Sequence, residues 1–273
     1  MRKQAAILLM VGGIAAFSFS AWAAPSPLRV VCTTTALEAV VAAVGQDLVE
    51  VCSIVPEQSC PGHCDITPSL AAKLQRAELV CCHDFEPKSF IDKVTRMSGN
   101  SGLEVKRITV AGSWMVPDVQ VKAVEQVCSL LSKTRPQQAA LFAHNAAEYS
   151  RQVGIESMRL KRRLESAGLR GSSVAASAMQ EDLLRWLGFV VVATYLRQED
   201  VTARSFQKVL ERSRNKNVIF VVDNLQSGPG IGAPLSRELG AKHVVFSNFP
   251  LAYEKKVSYL RTLEENLKPI IQE

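Results

Sequence analysis

Three short stretches of this chain concentrate side chains able to do chemistry. Cys60-Pro61-Gly62-His63-Cys64-Asp65 puts two thiols, an imidazole and a carboxylate on one loop, just ahead of a helix start at Thr67-Pro68-Ser69. Imidazole is the commonest metal ligand, and thiolate favours Zn²⁺ or Cu⁺. The Cys-x-x-x-Cys spacing differs from the usual zinc or redox Cys-x-x-Cys, so a loop disulfide beside a surface histidine competes with the metal reading. Cys81-Cys82-His83-Asp84-Phe85-Glu86 ends an apolar strand. Adjacent strand residues point to opposite faces, so these two thiols do not easily bridge each other. One is expected to be buried as a small hydrophobe, with His83 capping the next helix or lining a cleft. Val222-Asp223-Asn224-Leu225-Gln226-Ser227-Gly228-Pro229-Gly230 leaves a buried strand with an acid and two amides, the place where an open α/β sheet meets a ligand. Turn chemistry with a helix cap is the plainer reading of that stretch, which matches neither a Walker A loop nor a dinucleotide fingerprint. Phe246-Ser247-Asn248-Phe249-Pro250 repeats the placement one strand later. His144 and His243 read as surface or packing residues. Without a Gly-x-Ser-x-Gly elbow or a His-Glu-x-x-His pair, hydrolytic catalysis has no support.

The elements that must position these residues alternate. Leu28–Cys32 reads as a strand, Thr33-Thr34-Thr35 as a turn and N-cap, and Ala36–Val44 as a helix ending at Gly45. Strands follow at 49–55, 78–82 and 105–110, with helices at 68–76 and 90–97. From Pro136 to Ala167 the pattern is helical for about nine turns. It is either one spine or two helices broken at Gly154. Beyond Gly168, strands at 173–176, 190–195, 218–222 and 243–246 alternate with helices at 180–187, 205–215, 233–239 and 253–271. Strands alternating with helices imply mostly parallel sheets. The fold class is therefore α/β: two lobes, each a mostly parallel sheet flanked by helices, joined by a long rigid spine helix. The expected division is 24–133 for the N-terminal lobe, 134–168 for the spine and 169–273 for the C-terminal lobe.

Arg2 and Lys3, the apolar run Ala5–Phe19 and Ala21-Trp22-Ala23 form a signal peptide over residues 1–23, which places the mature chain in the periplasm. No later segment reaches 18 consecutive apolar residues. Apolar residues make up 47% of the chain, which excludes a disordered polymer. The net charge of +6 comes from 32 Lys+Arg scattered among 26 Asp+Glu, so no nucleic-acid partner is expected. All seven cysteines fall between Cys32 and Cys128, leaving the second lobe's share of any site to amides and carboxylates.

The segments Pro61-Gly62-His63, Thr67-Pro68-Ser69 and Leu74-Gln75-Arg76-Ala77-Glu78-Leu79-Val80 resemble the first ligand loop of the zinc/manganese-type substrate-binding proteins of ABC transporters. Glu86 after His83, Trp114-Met115-Val116-Pro117, Met179-Gln180 through Trp186-Leu187-Gly188-Phe189, Asn224-Leu225-Gln226 and Ser247-Asn248 are similar to that family's later segments, in order along the chain. The resemblance implies two α/β lobes around a rigid helix and a metal held between them. It implies a binding protein rather than an enzyme, with an ABC transporter permease and the metal ion as partners.

Only His63 matches a family ligand histidine. Gly112-Ser113-Trp114 and Met179-Gln180 stand where second and third histidines are expected, and Asn224 and Asn248 stand where carboxylates are. A rebuilt site is therefore expected from His63, Cys64, Gln180, Asp223, Asn224 and Gln226. It would take a divalent transition metal, zinc or manganese first and copper as a further option. A chelated or non-metal ligand in the same fold is the alternative. A thiol-disulfide oxidoreductase using Cys60 and Cys64 is a more distant one. The rigid spine implies small motions on binding.

Overall fold

The computed structural model describes residues 26–59, 67–228 and 230–271. The signal-peptide segment 1–23 and the loop carrying Cys60, His63, Cys64 and Asp65 lie outside the described residues. The first sheet is built from β1 (Leu28–Cys32), α1 (Thr35–Gly45), β2 (Val49–Ser53), α2 (Pro68–Arg76), β3 (Leu79–His83), α3 (Lys88–Ser98) and β4 (Glu104–Ile108). Its four strands run parallel in the order β2-β1-β3-β4. Each residue of β3 is buried, as expected of a central parallel strand covered on both faces. Local chemistry sets the helix starts. Thr34 Oγ1 accepts the Leu37 N–H at 3.4 Å and Thr67 Oγ1 accepts the Leu70 N–H at 3.3 Å. Pro68 opens α2, at the one position where its missing N–H costs nothing.

The second sheet repeats the plan with β5 (Ser173–Ser177), α6 (Glu181–Leu187), β6 (Val190–Tyr195), α7 (Ala203–Ser213), β7 (Val218–Asn224), α8 (Gly232–Leu239) and β8 (Lys242–Phe246). The strand order β6-β5-β7-β8 is the same as in the first sheet, and every pair is parallel. Two elements depart from the sequence reading. An antiparallel ribbon, β9 (Leu251–Tyr253) and β10 (Lys256–Ser258), precedes the last helix, which starts at Tyr259 rather than Tyr253 and runs as α9 to Ile271. The ribbon turns through Glu254 and Lys255 at φ 52° and 69°, the left-handed pair that a tight hairpin needs.

Two long helices separate the sheets. α4 (Pro117–Thr134) was not expected; its buried Gln120, Ala123, Val124, Val127 and Leu131 recur at helical spacing against the first sheet. α5 (Ala139–Ser166) passes Gly154 without a break. A side chain at Gly154 would meet nothing within 4 Å, so the glycine faces open space and weakens the helix only by its own propensity, about 1 kcal/mol. Phe142 and Ala146 of α5 belong to the core under the first sheet, whereas Val153, Leu160 and Leu164 belong to the core under the second. Around this spine, Tyr259 Oη donates to the Met115 carbonyl at 3.0 Å and Trp186 Nε1 donates to Asp118 at 3.0 Å. Arg159 on α5 pairs with Glu264 on α9 at 2.8 Å.

Leu160 is fully buried, whereas Met158 on the same helix is 54% exposed. Leu160→Ala is expected to cost about 2–5 kcal/mol of unfolding free energy through lost burial and a residual cavity. Met158→Ala should change it by less than about 0.5 kcal/mol. Chemical denaturation of the two variants checks both values.

A candidate site in the interlobe crevice

In each sheet the strand order reverses between the first strand and the next one but one. The reversal lies between β1 and β3 in one lobe and between β5 and β7 in the other. Ligands of open α/β sheets bind outside the carboxyl ends of strands at such points. Thr33, at the end of β1, and His83 and Glu86, at the end of β3, sit at the first reversal. Gln180, just beyond β5, and Asn224, at the end of β7, sit at the second. Four buried atoms in this set make no hydrogen bond of normal geometry among the described residues: Thr33 Oγ1, His83 Nδ1, Glu86 Oε1 and Gln180 Oε1, although the Thr33 hydroxyl lies near enough to the Glu86 carboxyl to lower its pKa. Each such atom typically costs about 1–3 kcal/mol, and their gathering at the two reversals marks where a ligand would offset that cost.

Between the lobes lies a cavity of about 770 Å³. Phe85, Glu86, Phe90 and Lys93 line it from the first lobe, and Met179, Arg197, Asn224, Gln226, Asn248 and Phe249 from the second. His83 sits beneath its wall. Phe85 stacks on the imidazole at 4.7 Å and Trp114 meets it edge-on at 4.5 Å. Its Nε2 lies 2.8 Å from Thr34 Oγ1. Burial pushes the His83 pKa down to about 3, so the ring is neutral. Burial also pushes the Glu86 carboxyl up to about 7, against weaker lowering by the Thr33 hydroxyl, the His83 N–H and Arg107. Glu86 Oε2 accepts the His83 N–H at 2.9 Å. Arg107 Nη1 donates to the carbonyls of His83, Asp84 and Glu86 at 3.1 Å each, which clamps the whole β3–α3 turn.

The amides of the second lobe are largely committed to one another. Gln180 Nε2 donates to Asn224 Oδ1 at 2.9 Å and to the Phe246 carbonyl at 3.3 Å. Asn224 Nδ2 donates to Ser227 Oγ at 2.7 Å. Gln226 Nε2 donates to Ser247 Oγ and, across the crevice, to the Glu57 carbonyl, both at 2.8 Å; its Oε1 accepts the Asn248 N–H at 2.9 Å. Gln226 therefore ties the two lobes together.

Asp223 lies elsewhere. Next to Asn224 on a strand, it projects from the opposite face. There it accepts from Tyr195 Oη at 2.7 Å and the Gly232 N–H at 2.9 Å, with His243 Nε2 at 2.7 Å. A Cβ at Gly232 would fall 2.5 Å from Asp223 Oδ2, so only glycine lets α8 approach this carboxylate.

Of the six residues picked out in the sequence, the fold thus brings Asn224 and Gln226 to the crevice wall, buries Gln180 completely against Asn224, and turns Asp223 away. His63 and Cys64 lie outside the described residues. No group of three or more His, Cys, Asp or Glu side chains able to hold a metal occurs among the described residues. Sequence reasoning missed Glu86, Phe85 and Lys93 as lining residues. The usable signal for Glu86 was its place three residues past a central strand.

A family model described as zinc-uptake complex component A, periplasmic, matches residues 30–273. The chain belongs to this family. No curated protein matches it. Among solved structures, it is similar to the Cd-bound periplasmic metal binding protein from Candidatus Liberibacter asiaticus, with 18% identity and TM-score 0.71 over 89% of this chain and 98% of that one. The Mn-bound form of that protein gives 17% identity and TM-score 0.70 over the same shares. A structure titled as ZnuA gives 15% identity and TM-score 0.71 over 90% of this chain and 98% of that one. The family is one of solute-binding proteins rather than enzymes, and it is periplasmic by description. The expected α/β fold with its long connecting helix agrees with these matches. Among the described residues no helix is long and apolar enough to cross a membrane, and Cys32, Cys52, Cys81, Cys82 and Cys128 are free thiols.

The buried pair sets a pH dependence for the metal-free protein. The folded-state pKa of Glu86 is raised from 4.5 to about 7. Its contribution to stability is complete below about pH 4.5 and is lost as pH rises through about 7. Glu86→Gln should therefore gain stability over the parent above about pH 7, on the order of 2 kcal/mol. His83 acts in the other direction. Its pKa is lowered from 6.5 to about 3, so its contribution is lost as pH falls below about 6.5, and the variant keeps that acid-side decline. Urea titrations between about pH 4 and 8 check this, and parallel curves for the two proteins would refute it.

Proposed function

We propose that this chain is the extracytoplasmic substrate-binding component of an ABC transporter. In this reading it captures a divalent transition-metal ion, zinc- or manganese-like, in the interlobe crevice and delivers it to a membrane permease. The observation that carries the reading is the set of buried polar atoms that make no hydrogen bond of normal geometry among the described residues at both strand-order reversals, Gln180 Oε1 foremost, in a chain of the zinc-uptake component family. A cation offers each oxygen the partner it lacks. His63 and Cys64 supply nitrogen and sulfur from the first lobe. Gln180 supplies an amide oxygen from the second, with Asn224 and Gln226 orienting it and holding the walls. Asp223 acts through the strand rather than at the ion, by fixing α8 and Tyr195 behind β7. The imidazole of His63 and the thiolate of Cys64 favour a borderline ion such as Zn²⁺, whereas the amide oxygens of the second lobe also accept a harder one such as Mn²⁺. The Liberibacter protein bears cadmium in one structure and manganese in another, and ions of this class are the cargo proposed here.

Delivery calls for a surface that differs between the empty and filled states. With α5 continuous and Gln226 bonded to Glu57 across the crevice, that difference is small and local to the walls. Loss of the Gln226 bridge would loosen it.

The reading is tested by thermal unfolding of the metal-stripped protein against Zn²⁺, Mn²⁺ and Cu⁺. A free metal concentration of about 100 times Kd should stabilise the fold by about 2.7 kcal/mol. His63→Ala and Gln180→Ala should each abolish most of that gain while leaving the metal-free protein cooperative. A stable protein that no metal shifts would overturn metal capture.

A further inference from the structure

We propose that the crevice takes its metal as a complex with a planar, anionic organic chelator, rather than as a bare ion. This rests on the metal-capture reading and deepens it. The cavity holds about 770 Å³, whereas a single liquid water claims about 30 Å³, so an ion with its first ligands fills a small part of it. Its walls are mainly apolar. Phe85 and Phe90 from the first lobe face a space shared with Met179 and Phe249 from the second. Phe85 is 65% exposed and Met179 is 43% exposed. An aromatic ring and a thioether held in the open on two walls of one cavity are suited to gripping a flat π-system.

The polar groups sort in the same direction. Lys93 at the wall provides a cation for an anionic substituent, and Arg197 stands nearby with its charge shared by Glu199 and Asp200 at 3.6 Å. Glu86 Oε1 is buried and makes no hydrogen bond of normal geometry among the described residues, ready to accept from a hydroxyl or amine of the ligand or to touch its metal. Asn224 and Gln226 have spent their carbonyl oxygens on Gln180 and Asn248. The described walls therefore give a bare ion few inner ligands and give a chelate a shaped, mostly apolar seat. The chelator adds its donors to those of His63 and Cys64, and the protein reads its ring and its charge.

The experiment titrates the mature protein with Zn²⁺ alone, with 8-hydroxyquinoline-5-sulfonate alone, and with their preformed complex, followed by the fluorescence of the complex and by calorimetry. The complex is expected to bind roughly ten-fold tighter than either component. Phe85→Ala and Met179→Ala should each weaken it by up to roughly ten-fold without changing the response to Zn²⁺ alone. Bare Zn²⁺ binding as tightly as the complex, with both variants unchanged, overturns the chelate and leaves metal capture standing. The chelator alone binding as tightly as the complex overturns the chelate, and it overturns metal capture as well where Zn²⁺ alone gives no response. The absence of binding in every arm by a cooperatively folded protein overturns both. Binding of the complex only after residues 60–66 are replaced by a Gly-Ser linker would make that segment the cavity's occupant, and that also overturns the proposal.

Discussion

One helix sets the distance between the two sheets, and the crevice exists because that helix belongs to both cores. α5 buries Phe142 and Ala146 beneath the first sheet and Val153, Leu160 and Leu164 beneath the second. At 28 residues it spans about 42 Å. Bending it would expose part of one core or break several helical hydrogen bonds at once. Tyr259 to Met115, Trp186 to Asp118 and Arg159 to Glu264 add ties around it. The frame therefore holds two parallel sheets with their strand-order reversals open to one shared space. A wide hinge closure would have to undo these contacts.

Within the frame, the crevice is a balance between groups kept satisfied and groups left wanting. Gln226 is fully bonded and joins the lobes, and Asn224 is bonded at both ends of its amide. These residues shape the walls and hold them still. Among the described residues Glu86 and Gln180 each keep one buried oxygen without a hydrogen bond of normal geometry, which is destabilising unless something binds. Arg107 clamps the turn that carries Glu86, so this carboxyl cannot easily swing out to water. The lobes thus contribute unequally. The first offers an acid, aromatic rings and a cation; the second offers amides, a thioether and rigidity.

Much of the frame was legible in the sequence. β1, α2 and β6 fall at their expected bounds because short apolar runs are bracketed there by turn residues and by Thr34, Thr67 or Gly188. The spine was legible as a long helical pattern, although its apolar Leu141 and Met158 are exposed and Phe142 and Leu160 carry the burial. α4 was overlooked although Pro117 and the period from Gln120 to Leu131 announce it. The β9–β10 ribbon had no such signal, because Glu254-Lys255 is not a hairpin dipeptide that propensity would select. At the site, the adjacency of Asp223 and Asn224 on one strand already meant that both could not face the same space. What the sequence could not show is which amides would bond to one another, since Gln180 meets Asn224 across 44 residues of chain.

The division between frame and walls also explains how the family keeps its fold at low identity. The frame needs apolar residues at the right period, a few caps and two parallel sheets with one strand order. Many sequences satisfy that pattern, because a core tolerates exchange of hydrophobes that preserves volume. The crevice has no comparable latitude. The identities of Gln180 and Asn224 set which atoms can ligate, and Phe85, Met179 and Lys93 set what can fit beside them. Fold similarity therefore carries the geometry of two facing strand-order reversals from relative to relative and carries none of the ligand chemistry. In this chain the proposed site draws on the β3–α3 turn, on the segments following β5, β7 and β8, and on the loop bearing His63. Changes in ligand preference within such a fold should accumulate there while the spine stays the same.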